Sequence, residues 1–167
     1  IDVTYTVGVA GPTVTPQFSP TPTQTPPSSG VPQRFERQGA IQDTFISGWQ
    51  VDKNFDGLSQ RLAVRGNGTM RTLIKFDLTG IPQGARIESA TLKLTTHEYD
   101  DGKTHLTLNI GAYQVNRQWL ANQATWNVAM TGSPWGAPGG SAVPADRENS
   151  PASTTAVQLI SGPTGPG

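Results

Sequence analysis

The sequence contains no cysteine, and this absence removes a whole group of chemistries. Without a thiol there is no thiolate nucleophile, disulfide, iron–sulfur cluster or cysteine-ligated zinc. The absence does not fix the cellular compartment, because proteins of the bacterial surface also lack cysteine.

Charge is also scarce: charged residues make up 14% of the chain and the formal net charge is zero. Because there is no basic run, the sequence predicts contact neither with nucleic acid nor with an anionic membrane surface. No stretch approaches the ~20 consecutive apolar residues of a membrane-spanning helix. The chain starts at Ile1 without a signal peptide, so we expect a mature processed chain or a fragment of a longer one.

What is abundant is glycine (19), proline (14), threonine and serine, arranged as short alternating segments between turns. This composition and spacing predict an all-β fold, a β-sandwich or jelly roll with a detached N-terminal donor strand. Asn67-Gly68 and the 81–84 segment are typical turn sequences between such strands. The strands are predicted at residues 43–46, 59–64, 69–78, 85–96, 106–115 and 156–160.

The N-terminal segment is an isolated strand with one apolar face. The apolar residues alternate with polar residues or glycine, and a lone strand of this kind is not stable by itself. It must therefore add to a sheet, either in its own globular part or in another molecule. We predict a donor-type strand at 1–10, a linker at 11–31 and a β-sandwich domain at 32–167. The residues of the apolar face are Ile1, Val3, Tyr5, Val7 and Val9.

The linker is rich in proline, threonine and serine, which favours extended polyproline II. Hydroxyl residues between prolines are also typical of O-glycosylated segments, and a bare linker is the alternative. A second glycosylation sequence, Asn67-Gly68-Thr69, lies at a predicted hairpin tip. The candidate O-glycosylation residues are Thr13, Thr15, Thr21, Thr23 and Thr25.

Three oxygen-bearing residues, Asp52, Asn54 and Asp56, precede Gly57 in the pattern that opens a calcium loop. Against this, the twelfth position is Ala63 where such a loop has a bidentate glutamate. An ordinary turn between strands is the alternative. We expect no other cofactor.

The sequence contains no recognisable catalytic arrangement. Asp100 and Asp101 are adjacent on a predicted turn, where two acids point in different directions and are solvated. His97 and His105 flank this turn, and two ligands without a third are poor evidence for a metal. There is no Ser/His/Asp arrangement and no nucleophile elbow, so we predict that the chain is not an enzyme.

The four tryptophans could serve as stacking platforms, because the face of an aromatic ring suits the apolar face of a sugar. We expect Trp119 and Trp126 in the core. Trp49 and Trp135 occur in loops rich in glycine and proline, which makes them the candidates for carbohydrate contact.

Several segments resemble the DNRLRE domain family, which is also classed among carbohydrate-binding modules. The most specific are Lys-Phe-Asp-Leu at 75–78 and Ala-Thr-Leu-Lys-Leu at 90–94. The resemblance covers about residues 40–130 and extends to Trp119 and the Ala-Thr-Trp-Asn run at 124–127. It implies a jelly-roll-like domain of secreted or surface proteins, often in tandem, and polysaccharide binding where a function has been assigned.

Residues 1–7 are similar to the strand that closes this family's domain, but they stand at the opposite end of the chain. We therefore predict a non-catalytic structural subunit of an extracellular or cell-surface filament or tandem fibre. Its first strand would complete the sheet of a neighbour, either another copy of the chain head-to-tail or an adjacent tandem domain. The alternatives are a carbohydrate-binding module that binds polysaccharide, and a strand that folds back onto its own domain.

Overall fold

The computed structural model describes residues 2–6, 33–36, 42–58, 62–95 and 106–159. These residues form nine strands and one three-residue 3-10 helix, Gly66–Gly68. The all-β fold class is confirmed and is consistent with a β-sandwich. The strands are β1 Asp2–Thr6, β2 Gln33–Glu36, β3 Gln42–Ser47, β4 Met70–Lys75, β5 Arg86–Thr91, β6 Leu106–Ala112, β7 Val128–Met130, β8 Ser133–Pro134 and β9 Ser153–Leu159.

The chain divides into two compact units, and the first contains β1, β2 and β5. These strands form one antiparallel sheet in the order β2-β1-β5. Asp2 lies opposite Glu36 on one side and Thr91 on the other, so β1 is the central strand. β1 is therefore paired within its own chain, which is the folded-back alternative of the sequence analysis, and the detached donor strand gains no support. Ile1, Val7 and Val9 lie outside the described residues, as does the whole of the predicted linker.

A turn leads into β5 in this first unit, as the sequence predicts. Ile81 N–H donates to the carbonyl of Leu78 at 2.9 Å, and Ala85 N–H donates to the carbonyl of Pro82 at 3.1 Å. Gly84 has φ +81°, a left-handed conformation that glycine adopts without steric cost.

The second unit contains β3 and β4, β6 and β9, and β7 and β8, each pair antiparallel. β3 and β4 pair in unbroken register, from Gln42 opposite Lys75 to Ser47 opposite Met70. Side chains alternate between the faces of a strand, so Arg71, Leu73 and Lys75 share one face of β4. Leu73 enters the core of this unit, which contains Ile46, Leu73, Trp119, Ala121, Ala124, Ala129 and Trp135.

The cations on this face of β4 lie against tryptophan rings. The guanidinium carbon of Arg71 is 5.2 Å from the centre of the Trp126 ring, and Lys75 Nζ is 4.8 Å from that of Trp119. Their aliphatic stems can then cover the core while the charges contact the electron-rich ring faces.

The predicted strands match the structure unevenly. The predictions at 43–46, 69–78, 85–96 and 106–115 correspond to β3, β4, β5 and β6. The late apolar run becomes β9, which pairs with β6 over seven residues, from Leu106 opposite Leu159 to Ala112 opposite Ser153. The strand predicted at 59–64 is wrong for residues 62–64, which are irregular, and residues 59–61 lie outside the described part. The strands β2, β7 and β8 were missed.

No helix in the described residues could cross a bilayer. The sole helical segment in that part of the chain is the 3-10 turn at Gly66–Gly68.

Candidate functional site

The four tryptophans occupy different environments. Trp119 is buried and Trp126 is half-buried against the core, in agreement with their predicted structural role. Trp49, in contrast, is 58% exposed. Among the tryptophans, Trp49 therefore offers the most accessible ring.

Trp135 lies in the core and not at the exposed loop position that the sequence predicts, which gives its predicted carbohydrate contact no support. It is 5% exposed, and its indole N–H donates to the carbonyl of Thr125 at 2.9 Å. The loop that contains it is rich in glycine and proline, but this loop folds over the core instead of projecting from it. Gly140 passes close to the ring, because a Cβ at this position would lie 3.3 Å from Trp135 Cε3.

Trp49 and Arg65 form an exposed pair that we call the Trp49 surface. Met70 explains their proximity, because it pairs with Ser47 at the end of β3 and also with Arg65 across the turn that precedes β4. The guanidinium carbon of Arg65 lies 4.2 Å from the centre of the Trp49 ring, within the range of a cation–π contact. The Trp49 surface thus presents an aromatic ring together with hydrogen-bond donors.

The backbone around Trp49 is held in place by several hydrogen bonds. Gly48 N–H donates to the carbonyl of Thr69 at 2.8 Å, and Trp49 N–H donates to Ser47 Oγ at 3.2 Å. The carbonyl of Val51, two residues after Trp49, accepts a hydrogen bond from Asn127 N–H at 3.3 Å. The ring is therefore presented by a fixed turn.

The predicted calcium loop has a structural role. Asn54 donates from Nδ2 to the carbonyls of Ala121 and Ala124, both at 2.7 Å, and thereby ties its loop to a segment of the core. Asp52 Oδ1 accepts from Asn127 Nδ2 at 2.8 Å, whereas Asp56 contributes its backbone N–H to Asn54 Oδ1 at 3.2 Å. These contacts favour the turn alternative, and no cluster of three or more His, Cys, Asp or Glu residues occurs in the described part of the chain.

Asp146 lies in the 136–147 loop, and its carboxylate is completely buried. Oδ1 accepts from Gly136 N–H at 2.7 Å and from Arg117 Nε at 2.8 Å. Oδ2 accepts from the N–H groups of Ala137 and Ala142, both at 3.0 Å. Burial by itself raises the pKa of Asp146, but these four hydrogen bonds outweigh it and hold the pKa below its usual value.

Arg71 joins this loop to the turn that contains Arg65. Its Nη1 donates to the carbonyl of Gly139 at 2.7 Å, and its Nε donates to the carbonyl of Gly68 at 3.2 Å. Burial lowers the pKa of Arg71, the guanidinium of Arg147 lowers it further, and Tyr113 opposes both effects. Gly139 is required here, because a Cβ would lie 2.7 Å from the ring of Trp126.

A second exposed aromatic residue, Tyr113, was not singled out by the sequence. It is 41% exposed, and the guanidinium carbon of Arg147 lies 4.3 Å from the centre of its ring. An aromatic residue near the end of the predicted 106–115 strand was the signal that could have indicated it.

The remaining predicted residues are exposed or lie outside the described part. Asn67 is exposed with φ 59°, and its Oδ1 accepts from Thr69 Oγ1 at 3.0 Å. Glycosylation at Asn67 stays a prediction. Thr13, Thr15, Thr21, Thr23 and Thr25, as well as Asp100, Asp101, His97 and His105, lie outside the described residues.

Comparison with known proteins assigns the family. Residues 35–132, more than half of the chain, match the model of carbohydrate-binding module family 96. The chain therefore belongs to this family of binding modules. No curated protein and no solved structure shows a significant match.

Proposed function

We propose that the chain is a non-catalytic module that binds polysaccharide through the Trp49 surface. Membership of a carbohydrate-binding family supports the ligand class. The observation that carries the choice of residues is the 58% exposed Trp49 with the Arg65 guanidinium 4.2 Å from its ring centre.

The chemistry of these two side chains fits a sugar ring. A pyranose has an apolar face of C–H groups, which can stack on an indole, and a rim of hydroxyl groups. Arg65 can donate hydrogen bonds to hydroxyl or carboxylate oxygens at this rim. Asp52 and Asn127, in the same loop system, add a carboxylate and an amide.

Rigidity of the loop supports the proposal as well. The bonds from Gly48 to Thr69 and from Asn127 to Val51 hold the turn before a ligand arrives. A preorganised site loses less conformational entropy on binding, so more of the contact energy appears as affinity.

The test is a polysaccharide array followed by titration of three variants. Trp49→Ala should reduce affinity at least about tenfold, which corresponds to about 1.4 kcal/mol. Trp49→Phe should retain part of the binding because a ring remains. Leu58→Ala is the matched control, because Leu58 is an exposed apolar residue on the same loop at 65% exposure. Equal affinity of Trp49→Ala and the wild-type chain would refute the role of Trp49.

A binding module of this kind belongs to a secreted or cell-surface protein that meets polysaccharide, and we propose this localisation. We also propose that the chain performs no catalysis. Screening against polysaccharides and esters tests this point, and reproducible turnover lost on a single substitution would contradict it.

The filament hypothesis receives no support from the pairing of β1, which lies between β2 and β5 of its own chain. It stays a prediction of the sequence. Sedimentation of the chain with residues 1–10 deleted tests it. If the chain is a filament subunit, the deletion converts its assemblies into monomers. If the assembly state is the same with and without these residues, the filament hypothesis is wrong.

A further inference from the structure

A short two-stranded ribbon follows β6 in the second unit. Val115 pairs with Arg147 in an antiparallel bridge, and Glu148 N–H donates to the carbonyl of Gln114 at 3.0 Å. Asn116 N–H donates to the carbonyl of Asp146 at 2.8 Å. The 113–116 segment is therefore extended against the 146–148 segment.

One face of this ribbon carries two exposed side chains and a partly buried arginine. Residues two apart on an extended segment share a face, and so do residues directly opposite each other. Tyr113, Val115 and Arg147 consequently lie on one face, which we call the Tyr113 surface. Tyr113 and Val115 are exposed, and the Arg147 guanidinium carbon is 4.3 Å from the centre of the Tyr113 ring.

The opposite face of the ribbon fixes its shape. Asn116 Nδ2 donates to Glu148 Oε1 and to the carbonyl of Pro144, both at 2.9 Å. The buried Asp146 carboxylate accepts four hydrogen bonds immediately before Arg147 in the chain. Hydrogen bonds on the opposite face thus fix the backbone of the Tyr113 surface, as a preorganised binding surface requires.

Gly111 determines how the Tyr113 ring lies. A Cβ at this position would be 3.0 Å from Tyr113 Cε2, so a side chain at residue 111 would displace the ring. The ring therefore lies back over β6. Pro151 lies near it, because the Cβ of Pro151 is 3.6 Å from the position that a Cβ of residue 111 would occupy. An exposed tyrosine in such a setting has little freedom to lose when a ligand stacks on it.

We propose that the Tyr113 surface is a second carbohydrate-binding surface, which stacks a pyranose ring of the polysaccharide on Tyr113. Arg147 donates hydrogen bonds to the oxygens of the ring substituents. A guanidinium has five N–H donors, and Nη1 of Arg147 donates to the carbonyl of Glu148 at 2.9 Å. This inference rests on the proposed function, since the ligand class comes from the family.

Hydrogen bonds of one residue, Arg71, link the segments that carry the two surfaces. Arg71 donates to Gly68, in the turn of Arg65, and to Gly139, in the loop that leads to Arg147. Both surfaces lie in the second unit. A long polysaccharide that engages both surfaces gains avidity, whereas a short oligosaccharide fills them separately.

The experiment is calorimetric titration with cellohexaose, xylohexaose, mannohexaose, chitohexaose and a galacturonic acid hexamer, and then with the polymer of any hexamer that binds. We expect two hexasaccharides per chain for the wild type and one for Tyr113→Ala, with the affinity of the remaining site unchanged. On the polymer, Tyr113→Ala should lose at least about tenfold in affinity. Tyr113→Phe retains the ring and should bind two, and Leu58→Ala is the control outside both surfaces.

Nuclear magnetic resonance of the wild-type chain gives a readout that does not depend on a folded variant. The hexasaccharide should shift the Tyr113 ring and the Gly111 amide in addition to the Trp49 indole N–H. One hexasaccharide per chain, with Tyr113→Ala equal to the wild type, would overturn this inference and leave the proposed function intact. A wild-type chain that binds none of these probes would overturn both.

Discussion

Two loops of the second unit are equally irregular in backbone, but they are held by different kinds of hydrogen bond. The 48–58 loop is tied to the core by a neutral amide, Asn54, which donates to the carbonyls of Ala121 and Ala124, both at 2.7 Å. The 136–147 loop depends on one buried carboxylate, Asp146, which accepts four hydrogen bonds.

We expect the two proposed binding surfaces to differ in sensitivity to acid. A neutral amide keeps its hydrogen bonds at any ordinary pH, whereas a buried carboxylate keeps them only while it is ionised. The Trp49 surface and the Tyr113 surface should therefore respond differently to substitution and to pH.

Asp146→Ala should destabilise the chain by about 3–5 kcal/mol, because it leaves Arg117 and three backbone N–H groups without their acceptor. Chemical denaturation measures this loss. Glu148→Ala is the control, since the Glu148 side chain is exposed and the one hydrogen bond described for it is from Asn116. Equal stability of Asp146→Ala and Glu148→Ala would contradict a central role for Asp146.

Acid should remove the same contribution without a mutation. The pKa of Asp146 is lowered by folding, so its stabilisation is complete above the ordinary aspartate pKa of 3.8 and is lost as the pH falls below that value. Free energies of unfolding measured from about pH 6 to about pH 2.5 should fall less steeply for Asp146→Asn than for the wild type. Parallel curves would show that Asp146 does not contribute to the acid response.

Asn54→Ala should cost about 1–3 kcal/mol, because two carbonyls lose their donor in a partly buried place. This loss should be the same at neutral and at acid pH, unlike that of Asp146→Ala. Asn54→Asp should be less stable than Asn54→Ala, since a carboxylate would face two carbonyl oxygens. Denaturation of both variants at two pH values measures these differences.

Arg65→Ala should change stability by no more than about 0.5 kcal/mol, because exposed substitutions away from packed contacts have small effects. Its effect on the proposed polysaccharide binding should be larger, about threefold to tenfold, because a cation and its donors leave the Trp49 ring. Arg65→Lys is the matched variant, which keeps the charge without the planar guanidinium. A stability loss that accounted for the whole change in affinity would argue against direct contact.

Much of the fold could be predicted because strands and turns are local patterns. Alternation placed β3, β4, β5 and β6 in the right segments, and Asn67 has the positive φ expected next to Gly68. The predicted exposure of Trp49 agrees with the structure, whereas its role in binding stays a proposal. The strand predicted at 156–160 begins too late, because β9 starts at Ser153. The threonines at 154 and 155 show no apolar alternation that would have indicated this start.

The failures come from irregular segments. A loop rich in glycine and proline predicted an exposed Trp135, but glycine also allows a backbone to pass close to a ring, as Gly140 does. Asp146 has no periodic neighbours, so its sequence context resembles that of any surface aspartate. The calcium prediction at Asp52, Asn54 and Asp56 gains no support, because Asn54 Nδ2 donates to carbonyls some seventy residues away.

Local sequence patterns were enough to predict the all-β class, the position of most strands, the exclusion of cysteine chemistry and a relation to carbohydrate-binding modules. These properties depend on composition and on the alternation of neighbouring residues, which any extended segment expresses. Contacts in the folded chain, and no local pattern, place β1 between β2 and β5, bury Trp135 while Trp49 is exposed, and surround the buried Asp146 with four hydrogen-bond donors. Each of these depends on partners distant in sequence, such as Arg117 for Asp146, and local patterns do not encode such contacts.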